Sequence, residues 1–171
     1  MLVALVSLTA FALGGWLWWL VSDFAGARDT FVKSVLFGTF AAFALWLGWL
    51  LVVYLLLQRA MRVALRVDEL LRAAGFATFP LVLGLLMVVP RVAFGAGLLA
   101  LALWFVAMQA AVERVSGIRG GAALQANAAG FALWVGVLAL LATADDPLAP
   151  GVFLAVHLWN AAAAHGLSPL G

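Results

Sequence analysis

The chain has 171 residues, of which 68% are hydrophobic and 9% charged, and its formal net charge is only +2. Soluble domains are about half apolar and about a quarter charged, so this composition cannot cover itself with polar surface and calls for lipid as its solvent. With seven acidic residues, two histidines and no cysteine, disulfides, thiolate nucleophiles and cysteine metal sites are excluded, and the few scattered arginines make no nucleic-acid patch.

At about 20 apolar residues per crossing, the length suits one membrane domain. The first apolar run, residues 2–21, carries Trp16, Trp18 and Trp19 toward its far end, where indoles suit a membrane–water interface. It has no basic leader and is too long for the apolar part of a signal peptide. A retained helix is therefore expected, despite the small residues Ala25, Gly26 and Ala27 that follow. A polar loop with Asp23, Arg28 and Asp29 leads to the second span, residues 31–57, where Lys33 can snorkel outward.

Residues 58–74 form the main polar stretch. Arg59, Arg62, Arg66 and Glu69 recur at helical spacing, and Val63, Val67, Leu70 and Leu71 fall on the other side. This pattern predicts an amphipathic helix over 58–74, lying in the headgroup plane or extending the second span, with Arg72 also on the polar surface. The next apolar run, residues 76–89, is short for a crossing, has Pro80 near its start and ends at Pro90. Pro90 and Arg91 predict a tight turn between antiparallel helices. The fourth span follows over 92–112, a polar loop over 113–120, and the fifth span over 121–142. Asp145, Asp146, Pro147 and Pro150 then break the helix. The tail, residues 143–171, has room over 151–164 for about three to four turns, too few to cross a bilayer of about 30 Å. An interfacial, re-entrant or partner-docked helix is expected there.

The predicted fold is thus all-α, with five transmembrane helices, an amphipathic helix and a short C-terminal helix. Loops on one side carry Arg59, Arg62, Arg66, Arg72, Arg114 and Arg119, whereas the other side has Arg28, Arg91 and Lys33. The positive-inside rule then puts the N-terminus and the arginine-rich loops in the cytoplasm and the tail outside an inner or cytoplasmic membrane.

The segment Asp68-Glu-Leu-Leu-Arg-Ala-Ala-Gly75-Phe-Ala-Thr-Phe-Pro80, followed by Val88-Val-Pro90, Trp104, Val115-Ser116 and Arg119, has a recognisable order. A polar helix leads to a glycine–aromatic step, a short span, a proline turn, a tryptophan-bearing span and a serine-containing turn. Over about residues 44–141 this resembles the Yip-domain family of Ypt/Rab-interacting proteins and their bacterial relatives. The resemblance implies a small five-span membrane fold. The polar segment that usually precedes the first span in that family is not seen ahead of Leu2. The vesicle-traffic role with small GTPases is therefore not carried over.

Candidate site residues are few. Gln109, Gln125 and Asn127 lie in or near the fourth and fifth spans and are expected to act as interhelical hydrogen-bonding glue. Ala122, Ala126 and Gly130 repeat every four residues, as do Ala107 and Ala111, so the fourth and fifth spans are expected to be the tightly packed pair. Arg59, Arg62, Arg66 and Arg72 would face the cytoplasmic surface. His157, with Trp159 beside it, is the candidate ligand for a chlorin or haem. The alanine that light-harvesting helices place four residues earlier is Phe153 here, and an interfacial anchor competes with the pigment role. His157, His165, Asp145 and Asp146 lack metal-ligand spacing, and no resident metal is expected. No nucleophile–base set or phosphate loop is visible, so no enzyme activity is expected. The composition points to a structural or accessory subunit that docks on another membrane protein or organises lipid. A small-molecule or lipid channel or transporter, and a pigment- or haem-bearing accessory subunit of an energy-transducing complex, are the alternatives.

Overall fold

A computed structural model describes residues 1–22, 30–60, 62–142 and 150–155. Every regular element among them is helical, and five helices are long and apolar enough to cross a membrane. Helix α1 spans Leu2–Val21. Helix α2, Gly38–Leu55, is prolonged at both ends by wider π-helical turns, Phe31–Phe37 and Leu56–Ala60. Helix α3, Val67–Ala77, passes into a 3-10 helix, Phe79–Val88. Helices α4, Ala93–Ser116, and α5, Gly121–Ala142, follow, and a short 3-10 helix covers Gly151–Leu154.

The amphipathic helix expected over residues 58–74 is divided. The helical path of α2 stops at Ala60, Arg62 takes a left-handed φ of 55°, and Arg66 is extended at the N-cap of α3. Arg59, Arg62 and Arg66 therefore do not share a helical face. The chain has to reverse between α2 and α3, and a continuous helix cannot reverse. Helical periodicity resumes at Val67, with Leu70 and Ala74 buried and Asp68 and Glu69 in the first turn, where carboxylates suit the positive helix end. Arg66 pairs with Asp68 at 3.0 Å and with Glu69 at 3.3 Å in an exposed cluster, where solvent leaves such pairs little net worth.

The run over 76–89 is the second half of a longer rod. A 3-10 helix rises about 2.0 Å per residue against 1.5 Å for an α-helix, so α3 and its continuation together reach about 35 Å, enough for a hydrocarbon core of about 30 Å. Pro80 sits at the start of the 3-10 helix, where a missing N–H costs least. The buried Thr78 hydroxyl donates to the Gly75 carbonyl at 2.7 Å across the junction.

The 3-10 helix is narrow, and α1 packs on it more extensively than any other pair of elements. The closest approach is at glycine: a Cβ on Gly14 would overlap the Gly84 carbonyl, and one on Gly84 would lie 2.7 Å from the Phe11 ring. Gly75 lies beside the amino terminus, and Gly84 lies beside Phe11 and Gly14, so these two rods run parallel. The 3-10 helix returns into α4 through a tight turn in which the Val92 N–H donates to the Val89 carbonyl at 3.1 Å across Pro90 and Arg91. Helix α4 ends at Gly117, whose φ of 68° suits a residue without Cβ.

The centre is filled by Trp46, Trp49, Trp104 and Trp134, all fully buried. Trp104 meets Trp49 and Trp134 edge-on, at centroid distances of 5.0 Å and 4.8 Å. The Trp134 indole N–H donates to the Ala42 carbonyl of α2 at 2.9 Å. The described start of the tail is seated inside the bundle: Gly151, Val152, Phe153 and Leu154 are buried. Gly151 lies against Gly15 and Phe11, Val152 against Gly97, and Phe153 is 5.7 Å from Trp134. Of the interfacial, re-entrant or partner-docked helix expected over 151–164, residues 156–164 lie outside the described residues, and residues 151–154 are packed against the other helices. The physical reason is that Gly15 and Gly97 leave a niche that apolar side chains fill.

Candidate functional site

Asn127 is fully buried on α5, and its amide donates to the Phe105 carbonyl of α4 at 3.3 Å. It is thus an interhelical hydrogen-bonding residue. Gln109 donates within its own helix, to Glu113 at 2.8 Å, one turn on. Gln125 is exposed on α5. The three polar residues do not converge.

Ala126 and Gly130 are buried, Ala122 is half-buried, and Gly130 leaves room for the Trp49 ring of α2. A Cβ at Gly130 would overlap that ring. Helix α5 packs chiefly on α2, not on α4, which corrects the expected pairing of the fourth and fifth helices. The large indole facing Gly130 decides the partner, because it fills what the missing side chain leaves. Ala107 and Ala111 turn toward α3.

That side of α4 carries a concavity. Between α3 and α4 lies a groove of about 630 Å³ lined by Glu69, Arg72, Ala73, Phe76, Ala77, Ala107, Ala110, Ala111, Arg114 and Val115. It shares Ala107 and Ala110 with an apolar hollow of about 470 Å³, bordered by Phe79, Pro80, Val82, Leu83, Leu103 and Val106. A third hollow, of about 500 Å³, joins at Ala110 and Arg114 and is bordered by Glu113, Gly117 and Arg119. The three adjoining hollows are charged where Arg72, Arg114 and Arg119 stand and apolar along Phe79, Leu83, Leu103 and Val106. Among the described residues, Arg72, Arg114 and Arg119 form no ion pair. Glu69 is held by Arg66, and Glu113 accepts from Gln109.

Of the arginines expected at one surface, Arg72 lines the groove, whereas Arg59, Arg62 and Arg66 lie outside it. Arg114 and Arg119 were visible only as loop charges. Their place beside Arg72 comes from the hairpin at Pro90, a signal present in the sequence. Counting residues equally back from Pro90 pairs Arg72 with a position near Gln109. The greater rise of the 3-10 helix moves that partner on by about one turn, to Arg114. His157, Trp159, His165, Asp145 and Asp146 lie outside the described residues. Among the described residues, no three His, Cys, Asp or Glu side chains gather as a metal site would require.

Comparison with known families, with curated proteins and with solved structures finds no match for this chain.

Proposed function

We propose that this chain is a non-catalytic integral protein of the inner or cytoplasmic membrane, a structural or accessory subunit. It docks on another membrane protein or organises the lipid around it. The observation that carries this is the filled centre. Four fully buried tryptophans and the seated residues 151–154 occupy the space between the helices. A conduit would need a hydrated or polar path there. The outer faces present large apolar side chains such as Phe37, Phe40, Phe79, Val106 and Leu140, suited to lipid or to a partner's helices.

Chain order puts Arg59, Arg62, Arg66, Arg72, Arg114 and Arg119 at one end of the bundle, with Lys33 and Arg91 at the other. Under the positive-inside rule the first end is cytoplasmic, with the N-terminus. A Yip-like arrangement belongs to the same proposal and rests on the residues quoted for it above.

The test is cross-linking in native membranes followed by purification in mild detergent. Adducts with a membrane protein, or a retained lipid shell, are expected. A chain that runs alone, as a lipid-free monomer without adducts, would sink this function. Solute flux through liposomes that disappears on Asn127 or Gln125 substitution would instead favour transport.

A further inference from the structure

We propose that the groove between α3, with its 3-10 continuation, and α4 binds one anionic phospholipid. Arg72 and Arg114 hold the phosphate, and an acyl chain lies along Phe79, Leu83, Leu103 and Val106. The proposal depends on the membrane-embedded part of the function given above.

Charge selects the headgroup. Three arginines border the groove and its side hollow against two carboxylates, Glu69 and Glu113. Glu69 is paired with Arg66, whereas Glu113 accepts from the neutral Gln109 amide and keeps its charge, so the groove and side hollow hold one arginine more than carboxylates. A guanidinium presents a planar fork that matches two phosphate oxygens. A zwitterionic headgroup offers the same phosphate but brings its own cation beside the arginines, so a net anionic headgroup compensates their charge better.

Depth selects a lipid over a free anion. From Arg114 to Leu103 along α4 is about 17 Å, roughly half the hydrocarbon thickness. A phospholipid in the leaflet at the arginine end therefore meets the guanidinium groups and the apolar hollow together. Ala107 and Ala110 border both parts, so only small side chains stand between the charged end and the apolar hollow on α4.

The experiment uses the full chain purified in mild detergent and titrated by native mass spectrometry. The probes are phosphatidylglycerol and phosphatidylcholine with identical acyl chains. Phosphatidylglycerol is expected to bind about tenfold tighter, and Arg72→Gln with Arg114→Gln to reduce the preference to about twofold or less. Arg91→Gln, at the opposite end, keeps it. Filling the apolar part with Ala107→Leu and Ala110→Leu weakens both lipids, and excess inorganic phosphate displaces neither. Equal binding of the two lipids, or a preference that survives the double arginine substitution, overturns the proposal. Displacement by phosphate alone overturns it too, because the site would then take the headgroup without the chain. Alkaline carbonate extraction is run in parallel. Release from the membrane would refute the membrane function itself, whatever the titration gives.

Discussion

Small residues close one seam of this bundle and open another. Between α1 and the 3-10 helix, Gly14 and Gly84 meet backbone to backbone, with Phe11 over Gly84. Between α2 and α5, Gly130 meets Trp49. In both places a missing side chain faces a bulky group or a backbone, and the volumes complement each other. Between α3 and α4, alanine faces alanine: Ala73 and Ala77 lie across from Ala107, Ala110 and Ala111. Phe76 beside them is exposed, and a groove remains. A small-residue stripe therefore has no fixed meaning, because what faces it decides between tight packing and an open site.

This contrast can be broken from either side. The largest effect is expected from Trp134→Ala, which removes a fully buried ring and its bond to the Ala42 carbonyl. A loss of about 3–5 kcal/mol in reversible unfolding is expected. Trp134→Phe keeps most of the volume and should lose less. A small loss for Trp134→Ala would mean that the centre is not packed as described. Gly14→Val tests the closed seam. Its side chain would strike the Gly84 backbone, which has no rotamer to yield, and a loss of about 3 kcal/mol is expected. A thermal unfolding curve that does not move would show that α1 stands off from the 3-10 helix.

Asn127→Leu should cost less, about 1 kcal/mol, since bonds between membrane helices are individually modest. Gln125→Leu, on the exposed face, should leave the unfolding curve unchanged, and equal effects would erase the distinction between these two positions. The smallest effect on stability is expected at the open seam. Ala107→Leu with Ala110→Leu adds volume toward the groove from a half-buried and an exposed position, and unfolding should shift by less than about 0.5 kcal/mol. A large destabilisation there would show that the groove is closed in the membrane.

Much of the helical architecture is legible along the chain. The runs that become α1 and α5 are bounded by polar or helix-breaking residues, and a length sufficient to cross a membrane follows from hydropathy alone. The proline turn after Val89 is equally local. Two elements are less so. The arginines at positions 59, 62 and 66 have helical spacing, yet the helix ends at Ala60 and Arg62 and Arg66 lie in a reversal, because the spacing of exposed polar residues is not tied to any packing. The rod over residues 67–88 is read as too short when every residue is assigned the α-helical rise.

The candidate site divides the same way. Asn127 can be singled out as a polar residue within an apolar run, and its bond across to α4 follows from burial without water. Gln109 and Gln125 carry the same local signal and behave differently, because one finds Glu113 on its own helix and the other faces outward. The groove could not be located from any single motif, since Arg72 and Arg114 belong to separate helices.

Composition and hydropathy by themselves determined that the regular elements among the described residues are helices, five of them long and apolar enough to cross a membrane, with charges near their ends. These follow from the cost of leaving backbone or charge unsatisfied in lipid, a cost each segment meets on its own. Only the tertiary structure decided which helices touch, that residues 151–154 return into the bundle, and that one alanine seam stays open. Those outcomes depend on the volumes that face one another across helices, which no single segment contains.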